Sequence, residues 1–145
     1  MTESRDWPAK LDPIVEEFSA CFDSMERYEL LFQYAKSNPS PLPPEEWNEV
    51  NQVHGCQSRA HVSCALDEEG NFVLSGGADA QIVQGLIAIT SIAVNGMAPS
   101  YVSAMSPVFA EEMGIRSSLT PSRANGFLNM FKRVQDEASM LSGGE

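Results

Sequence analysis

The sequence predicts an α+β fold, with helices packed on a small antiparallel sheet. Three observations point to it. Apolar residues recur at helical spacing near both ends of the chain, they partly alternate at strand spacing through "RAHVSCAL", and the segments run in the order helices, strands, helices. The chain has 145 residues and no internal repeat, the length of one domain with a single filled core. Residues 1–145 are therefore read as one domain.

Two short helices come first. Asp12 followed by Pro13 reads as a cap with proline at the first helical position, and Ile14, Phe18, Cys21 and Phe22 fall on one face. Cys21 is thereby read as a small apolar core residue. Asp23 restarts the pattern with Glu26 three residues on, a variant of the capping box, and Tyr28, Leu31, Phe32 and Ala35 form a second stripe. "SNPSPLPPEEW" cannot continue a helix, because its prolines remove donors and restrict the residues before them, so it reads as a stiff connector inside the domain. "RAHVSCAL", the turn "DEEGN" and "FVLSG" then read as a β-hairpin, with room for another short strand before Cys56.

"GGADAQIVQGLIAITSIAVNG" is apolar on most sides, which predicts a central buried helix capped by Asp79 and ended by Gly96. Gly85 lowers its helix propensity by about 1 kcal/mol relative to alanine, which a close approach of another backbone would offset. One or two short helices span "APSYVSAMSPVFAEEMG". The last helix opens with Thr120 as cap and Pro121 in the first turn, and buries Phe127, Met130, Phe131, Val134, Ala138 and Leu141. "SGGE" is read as a frayed tail.

Composition excludes several functions. A formal charge of −11 argues against nucleic-acid binding, which needs clustered Lys and Arg. The acid excess is heavier before Asn51, where an acidic partner-facing surface would lie if the charge does more than keep the chain soluble. The longest apolar run is interrupted by Gln84, Thr90 and Ser91 and is too short for a membrane span. The opening "MTESRDWPAK" has no apolar core of a signal peptide, which gives the expectation of a cytoplasmic protein. There the three cysteines, at 21, 56 and 64, would be thiols rather than a disulfide framework, and no C-x-x-C pair suggests zinc or a dithiol.

Cys56, in "VHGCQSRAHVSC", carries the functional question. Zinc would have to draw on His54, Cys56, His61 and Cys64, yet a strand directs His61 and Cys64 to opposite faces. A Cys–His dyad with either histidine lacks an evident third member. A redox cycle with Cys64 and plain burial are the other readings. The neighbours weigh against burial. Gly55 permits unusual backbone geometry, and Gln57 and Ser58 supply polar atoms and amides that can stabilise a thiolate at a turn tip. A lone thiolate of this kind suits chemistry in which sulfur is accepted from a donor persulfide and handed on. His54 either tunes that thiol or fills the loop. His61 reads as a half-buried strand residue.

The stretches "NQVHGCQSRAHV", "GGADAQIVQGLIAI" and "LTPSRANGF" resemble, in order and at natural spacing, the three motifs of the SufE family, N-x-V-x-G-C-Q-S, D-A-x-I-V-x-G-L and T-P-S-R-x-x-G. The resemblance covers nearly the whole chain. It implies a fold shared with IscU-type scaffolds and a sulfur acceptor for a cysteine desulfurase of the SufS or CsdA type, whose turnover it stimulates. That desulfurase uses pyridoxal phosphate, whereas no cofactor is expected on this chain. Sulfur would pass on to an iron–sulfur scaffold complex of the SufBCD kind, and the protein would act as a carrier and activator rather than an enzyme, as a monomer or homodimer. By position Cys56 matches the persulfide acceptor, with Gly55, Gln57, Ser58 and His54 as its loop, and Asp79 and Arg123 as possible restraints on that loop. The chain lacks the additional cysteines with which an IscU-type scaffold holds a cluster, which disfavours cluster assembly on it; the alternative reading is a metal-binding or iron–sulfur scaffold or carrier protein of the IscU type, binding through His54, Cys56 and His61 or Cys64. One departure is His61, where many relatives carry tryptophan, and it puts an aromatic packing role there in doubt.

Overall fold

The computed structural model describes residues 8–53 and 59–142, side chains at 116 and 117 excepted. A 3₁₀ turn over Ala9–Leu11 leads into α1, Asp12–Ser19. Pro13 lies in the first turn, where a missing N–H is harmless. The N-cap, however, is Leu11, and no side chain caps the helix. Asp12 instead lies inside the first turn, a favourable place for a carboxylate against the helix dipole. Ile14 and Phe18 are buried as expected, but the helix stops before its stripe reaches Cys21 and Phe22. Cys21 is only half-buried, and Phe22 is 89% exposed.

Helix α2, Ser24–Lys36, opens with the expected reciprocal cap. Asp23 Oδ1 accepts from Glu26 N at 3.0 Å, and Glu26 Oε1 accepts from Phe22 N at 2.5 Å, one residue earlier than a standard capping box. Leu31 carries this helix into the core, with Tyr28, Phe32 and Ala35 half-buried beside it. The proline-rich segment is more than a connector. Pro41 forms a parallel bridge with Gly76, and Leu42 N donates to Gly76 O at 2.9 Å. Pro41 thus occupies a sheet edge, a place in a sheet that tolerates proline.

Strands β1, Ala60–Leu66, and β2, Phe72–Ala78, pair antiparallel from Ala60↔Ala78 to Leu66↔Phe72. Their turn is held by Asp67, whose Oδ1 accepts from Glu69 N and Asn71 N at 2.9 Å. Phe72, Leu74, Gly76 and Ala78 of β2 all face the interior. Against them lies α3, Gln81–Val94, buried along most of its length. Gly85 is explained by α2. A Cβ there would come within 2.3 Å of Leu31 O, so the two helix backbones touch where the side chain is missing.

Three short helices follow: α4, Pro99–Ala104; α5, Val108–Glu112; and α6, Ile115–Ser118. Helix α6 was not evident in the sequence because a distant residue braces it. Arg27 of α2 donates to Met113 O and Ser118 Oγ, both at 3.1 Å. Helix α7, Pro121–Leu141, is capped by Thr120, whose Oγ1 accepts from Arg123 N at 3.3 Å. Its Phe127 and Phe131 join Phe109 in a cluster with ring centroids 5.7 to 6.1 Å apart. Among the described residues no helix is long and apolar enough to cross a membrane.

Candidate functional site

The segment around Cys56 is built from its two ends. Val53 N donates to Ala60 O at 2.7 Å and Val62 N donates to Asn51 O at 2.8 Å, so Asn51–Val53 runs antiparallel along the free edge of β1. A single antiparallel bridge, Gln52↔His61, stands where a short strand was expected before Cys56. On the other side the ladder between β1 and β2 continues one pair further, since Asp79 N donates to Arg59 O at 3.0 Å. His54, Gly55, Cys56, Gln57 and Ser58 lie outside the described residues. The chain on either side of them, at Val53 and at Arg59, is tied into one sheet.

Asp79 takes a different position from the one its sequence context suggested. The N-cap of α3 is Ala80, with no side-chain cap hydrogen bond. The Asp79 carboxylate turns back instead, and its Oδ1 accepts from Arg59 N at 3.0 Å. A carboxylate accepting a backbone N–H is a charge-assisted contact, stronger than a neutral one. It falls on the residue directly after position 58. Arg123, the other expected restraint, lies in the first turn of α7, half-buried. Its Nη1 is buried and has no hydrogen-bond partner among the described residues.

Beneath the arm lies an aromatic stack. The ring of His61 lies on that of Trp47, with centroids 4.8 Å apart and planes 13° from parallel, and the Arg59 guanidinium sits 5.1 Å from the Trp47 centroid. His61 is 1% exposed rather than half-buried, and it does have an aromatic packing role, taken up with Trp47. Gly77, its register partner, leaves room for the Leu42 backbone and for Trp47, for a Cβ there would lie 2.5 Å from Leu42 O and 3.1 Å from Trp47 Nε1.

The tautomer of His61 follows from its neighbours. Asn51 Nδ2 donates to Glu46 O and Asn51 Oδ1 accepts from Asn48 N, each at 3.0 Å, so it is the oxygen that lies 2.7 Å from His61 Nδ1. Nδ1 must carry the proton, which leaves Nε2 as a buried acceptor without a partner among the described residues. Burial, and then the charge of Arg59, hold the His61 pKa below the ordinary histidine value against opposing pulls from Asn48 and Asp79. The ring is neutral at pH 7 and is a structural support.

Neither of the described thiols is a good nucleophile. Cys64 is pushed up to about 12 by burial and by Glu137, against Arg133. It stays protonated near neutrality and makes a poor resolving partner for Cys56. Cys21 is raised by burial and by the carboxylates of Glu26, Glu17 and Asp23, against the charge of Arg27, and its Sγ donates to Glu17 O at 3.6 Å. His61 and Cys64 lie on opposite faces of β1, as alternation requires, and cannot serve one metal ion together. Among the described residues no group of three or more potential ligands gathers.

Trp47, Asn51, Arg59 and Arg133 were not singled out from the sequence. Asn51 alone carried a signal, as the first residue of the N-x-V-x-G-C-Q-S motif. Arg133 Nη1 donates to Gln52 O at 2.8 Å across 81 residues, which no local pattern could reveal.

Residues 12–138 match the family described as SufE, Fe-S metabolism associated domain. A SufE-like protein of Synechocystis is 39% identical over 95% of this chain and 86% of its own length. The Arabidopsis thaliana protein named SufE-like protein 1, chloroplastic/mitochondrial, is 36% identical over 92% of this chain, which spans 36% of that protein's length. A solution structure of a hypothetical protein from Thermus thermophilus superposes with a TM-score of 0.77 at 26% identity, covering 93% of this chain and 97% of that one.

Proposed function

Since the chain belongs to the SufE family and so to iron–sulfur metabolism, we propose that it accepts persulfide sulfur on Cys56 from a cysteine desulfurase and stimulates that enzyme. Sulfur then goes to an iron–sulfur scaffold complex. The Cys56 thiolate attacks the outer sulfur of the donor's persulfide, the donor's S–S bond breaks, and the donor cysteine leaves as a thiolate. Cys56 now carries S–SH, and no external oxidant or reductant is consumed. The chain acts as a carrier and activator, holds no cofactor of its own, and relies on the pyridoxal phosphate of its partner. We place this exchange in the cytoplasm.

The observation that supports this reading most is where the chain is tied on each side of Cys56. Val53 is bonded to Ala60, and Arg59 is bonded to Asp79 through both backbone and carboxylate. Such a segment offers one sulfur to a visiting protein without a second cysteine to resolve it, because Cys64 stays protonated near neutrality. Gly55, Gln57, Ser58 and His54 are its immediate neighbours in sequence, and Arg123, whose Nη1 has no partner among the described residues, suits a nearby anion.

The test is Cys56→Ser incubated with the cognate desulfurase and cysteine. Loss of both the stimulation and the +32 Da adduct, the mass of about one added sulfur, is expected, while Cys21→Ser and Cys64→Ser keep both. Sulfur uptake by the Cys56→Ser chain would refute the mechanism.

A further inference from the structure

Arg133 stands apart from the residues that the family motifs single out, yet it holds the strand that leads into the Cys56 segment. Gln52 pairs with His61 at a position where the ladder bonds run through Asn51 and Val53, so the carbonyl of Gln52 points away from β1. An edge carbonyl of this kind would otherwise be left to water. Arg133, two turns before the end of α7, reaches it instead. Nη1 donates to Gln52 O at 2.8 Å and Nη2 donates to Val50 O at 2.5 Å. The third contact of the fork is an ion pair, Nε with Glu137 Oε2 at 2.7 Å, one turn along the same helix. Both side chains are mostly covered, 24% and 29% exposed, so the Nε and Nη1 bonds form where water competes weakly, while the Nη2 bond to Val50 lies at the surface.

The planar fork explains why arginine stands here. Its three donating nitrogens take three acceptors in fixed directions, and a lysine ammonium could not span both carbonyls and the carboxylate with the same geometry. Without the contact, Asn51–Val53 would hang on β1 by two backbone bonds and the Asn51–His61 side-chain bond, and among the described residues nothing would hold the outward-facing carbonyls of Val50 and Gln52. The clasp fixes the approach to residue 54, as the Asp79 carboxylate fixes the departure from residue 58.

We propose that Arg133 is a positioning residue for the sulfur-accepting site, acting through the backbone of Gln52 and Val50. The inference rests on Cys56 being the acceptor, but its measurement does not need the desulfurase. The rate at which Cys56 is alkylated reports how firmly its segment is held, and Cys21, in the loop between α1 and α2, serves as an internal reference thiol in the same chain. In Arg133→Met the ratio of Cys56 to Cys21 alkylation, followed by peptide mass spectrometry, should rise about tenfold. In Glu137→Gln, where the fork keeps its charge but loses its orienting carboxylate, the rise should be about threefold. Arg133→Lys should fall between wild type and Arg133→Met.

A ratio within about twofold of wild type in a folded Arg133→Met chain overturns the proposal. So does a parallel rise at both thiols, which would mean general loosening of the fold. Should Arg133→Met fail to fold, Arg133→Lys and Glu137→Gln are judged by the same twofold criterion. Wild-type chain that takes up no sulfur from the desulfurase would sink the acceptor reading while leaving the alkylation comparison intact.

Discussion

Neutral and fixed by Asn51, His61 joins the arm of the site to Trp47, and its protonation should be felt by the whole fold. The folded-state pKa lies below the unfolded value of about 6.5. Between the two, the unfolded chain binds more protons, so stability rises with pH through that window and is lost as pH falls through it. His61→Phe keeps a flat ring on Trp47 but removes the Nδ1 donor, and at pH 7.5 it should lower stability by about 1 kcal/mol. On acidification to pH 5.5 the wild type loses stability faster than the variant, and the gap narrows. Urea melts of both chains across this range provide the check. A gap that widens toward acid would mean that the ring is protonated in the folded state. Asp79 offers a related lesson about single residues. An aspartate two residues before a helix satisfies the statistical rule for a cap, yet the same carboxylate reaches Arg59 N on the neighbouring strand, and only the register Ala60↔Ala78 reveals that this donor is close.

Elements were legible in the sequence wherever local rules suffice. The Asp67 turn specifies the β1–β2 hairpin, and Asp23 with Glu26 starts α2. Thr120 with Pro121 starts α7. They failed where a distant residue decides, as with α6, which depends on Arg27. Phe22 failed for a second reason. The staple position opposite it, Arg27, is occupied with Met113 and Ser118, so the ring has no local partner. The central helix α3 shows an element whose sequence oddity was itself informative, because Gly85 signalled a close approach that proved to be Leu31. Gly85→Ala would gain about 1 kcal/mol of helix propensity. Its methyl group, however, would meet a backbone oxygen at 2.3 Å, which no rotamer change can relieve. A net loss of about 2 kcal/mol is expected, read as a lower denaturation midpoint at unchanged slope. A variant as stable as wild type would show that α2 can shift and that the two helices are not closely locked.

For the whole molecule, charge and site are related through position. The formal charge is −11, and exposed carboxylates line both α1–α2, at Glu16, Glu17, Glu26 and Glu29, and the approach to the arm, at Glu45, Glu46 and Glu49. Near Glu49, Val50 is 84% exposed while its carbonyl is held by Arg133, so an apolar side chain stands among acids at the foot of the Cys56 segment. If this charge serves solubility alone, docking to the desulfurase should be indifferent to salt. If it steers a partner with a cationic mouth, association quickens at low ionic strength, because exposed charges act over about 30 Å at 0.01 M but only about 3 Å at 1 M. The second outcome is expected, since Glu45, Glu46 and Glu49 lie beside Asn51–Val53, the stretch that leads toward the proposed acceptor in sequence. Stopped-flow association with the desulfurase should slow on the order of tenfold between low and high salt, with dissociation much less affected. Glu45→Gln, Glu46→Gln and Glu49→Gln combined should flatten that dependence while leaving the persulfide step at saturating partner unchanged. Association that accelerates with salt would mean that the two proteins repel, and the acidic rim would then play no part in bringing donor and acceptor sulfur together.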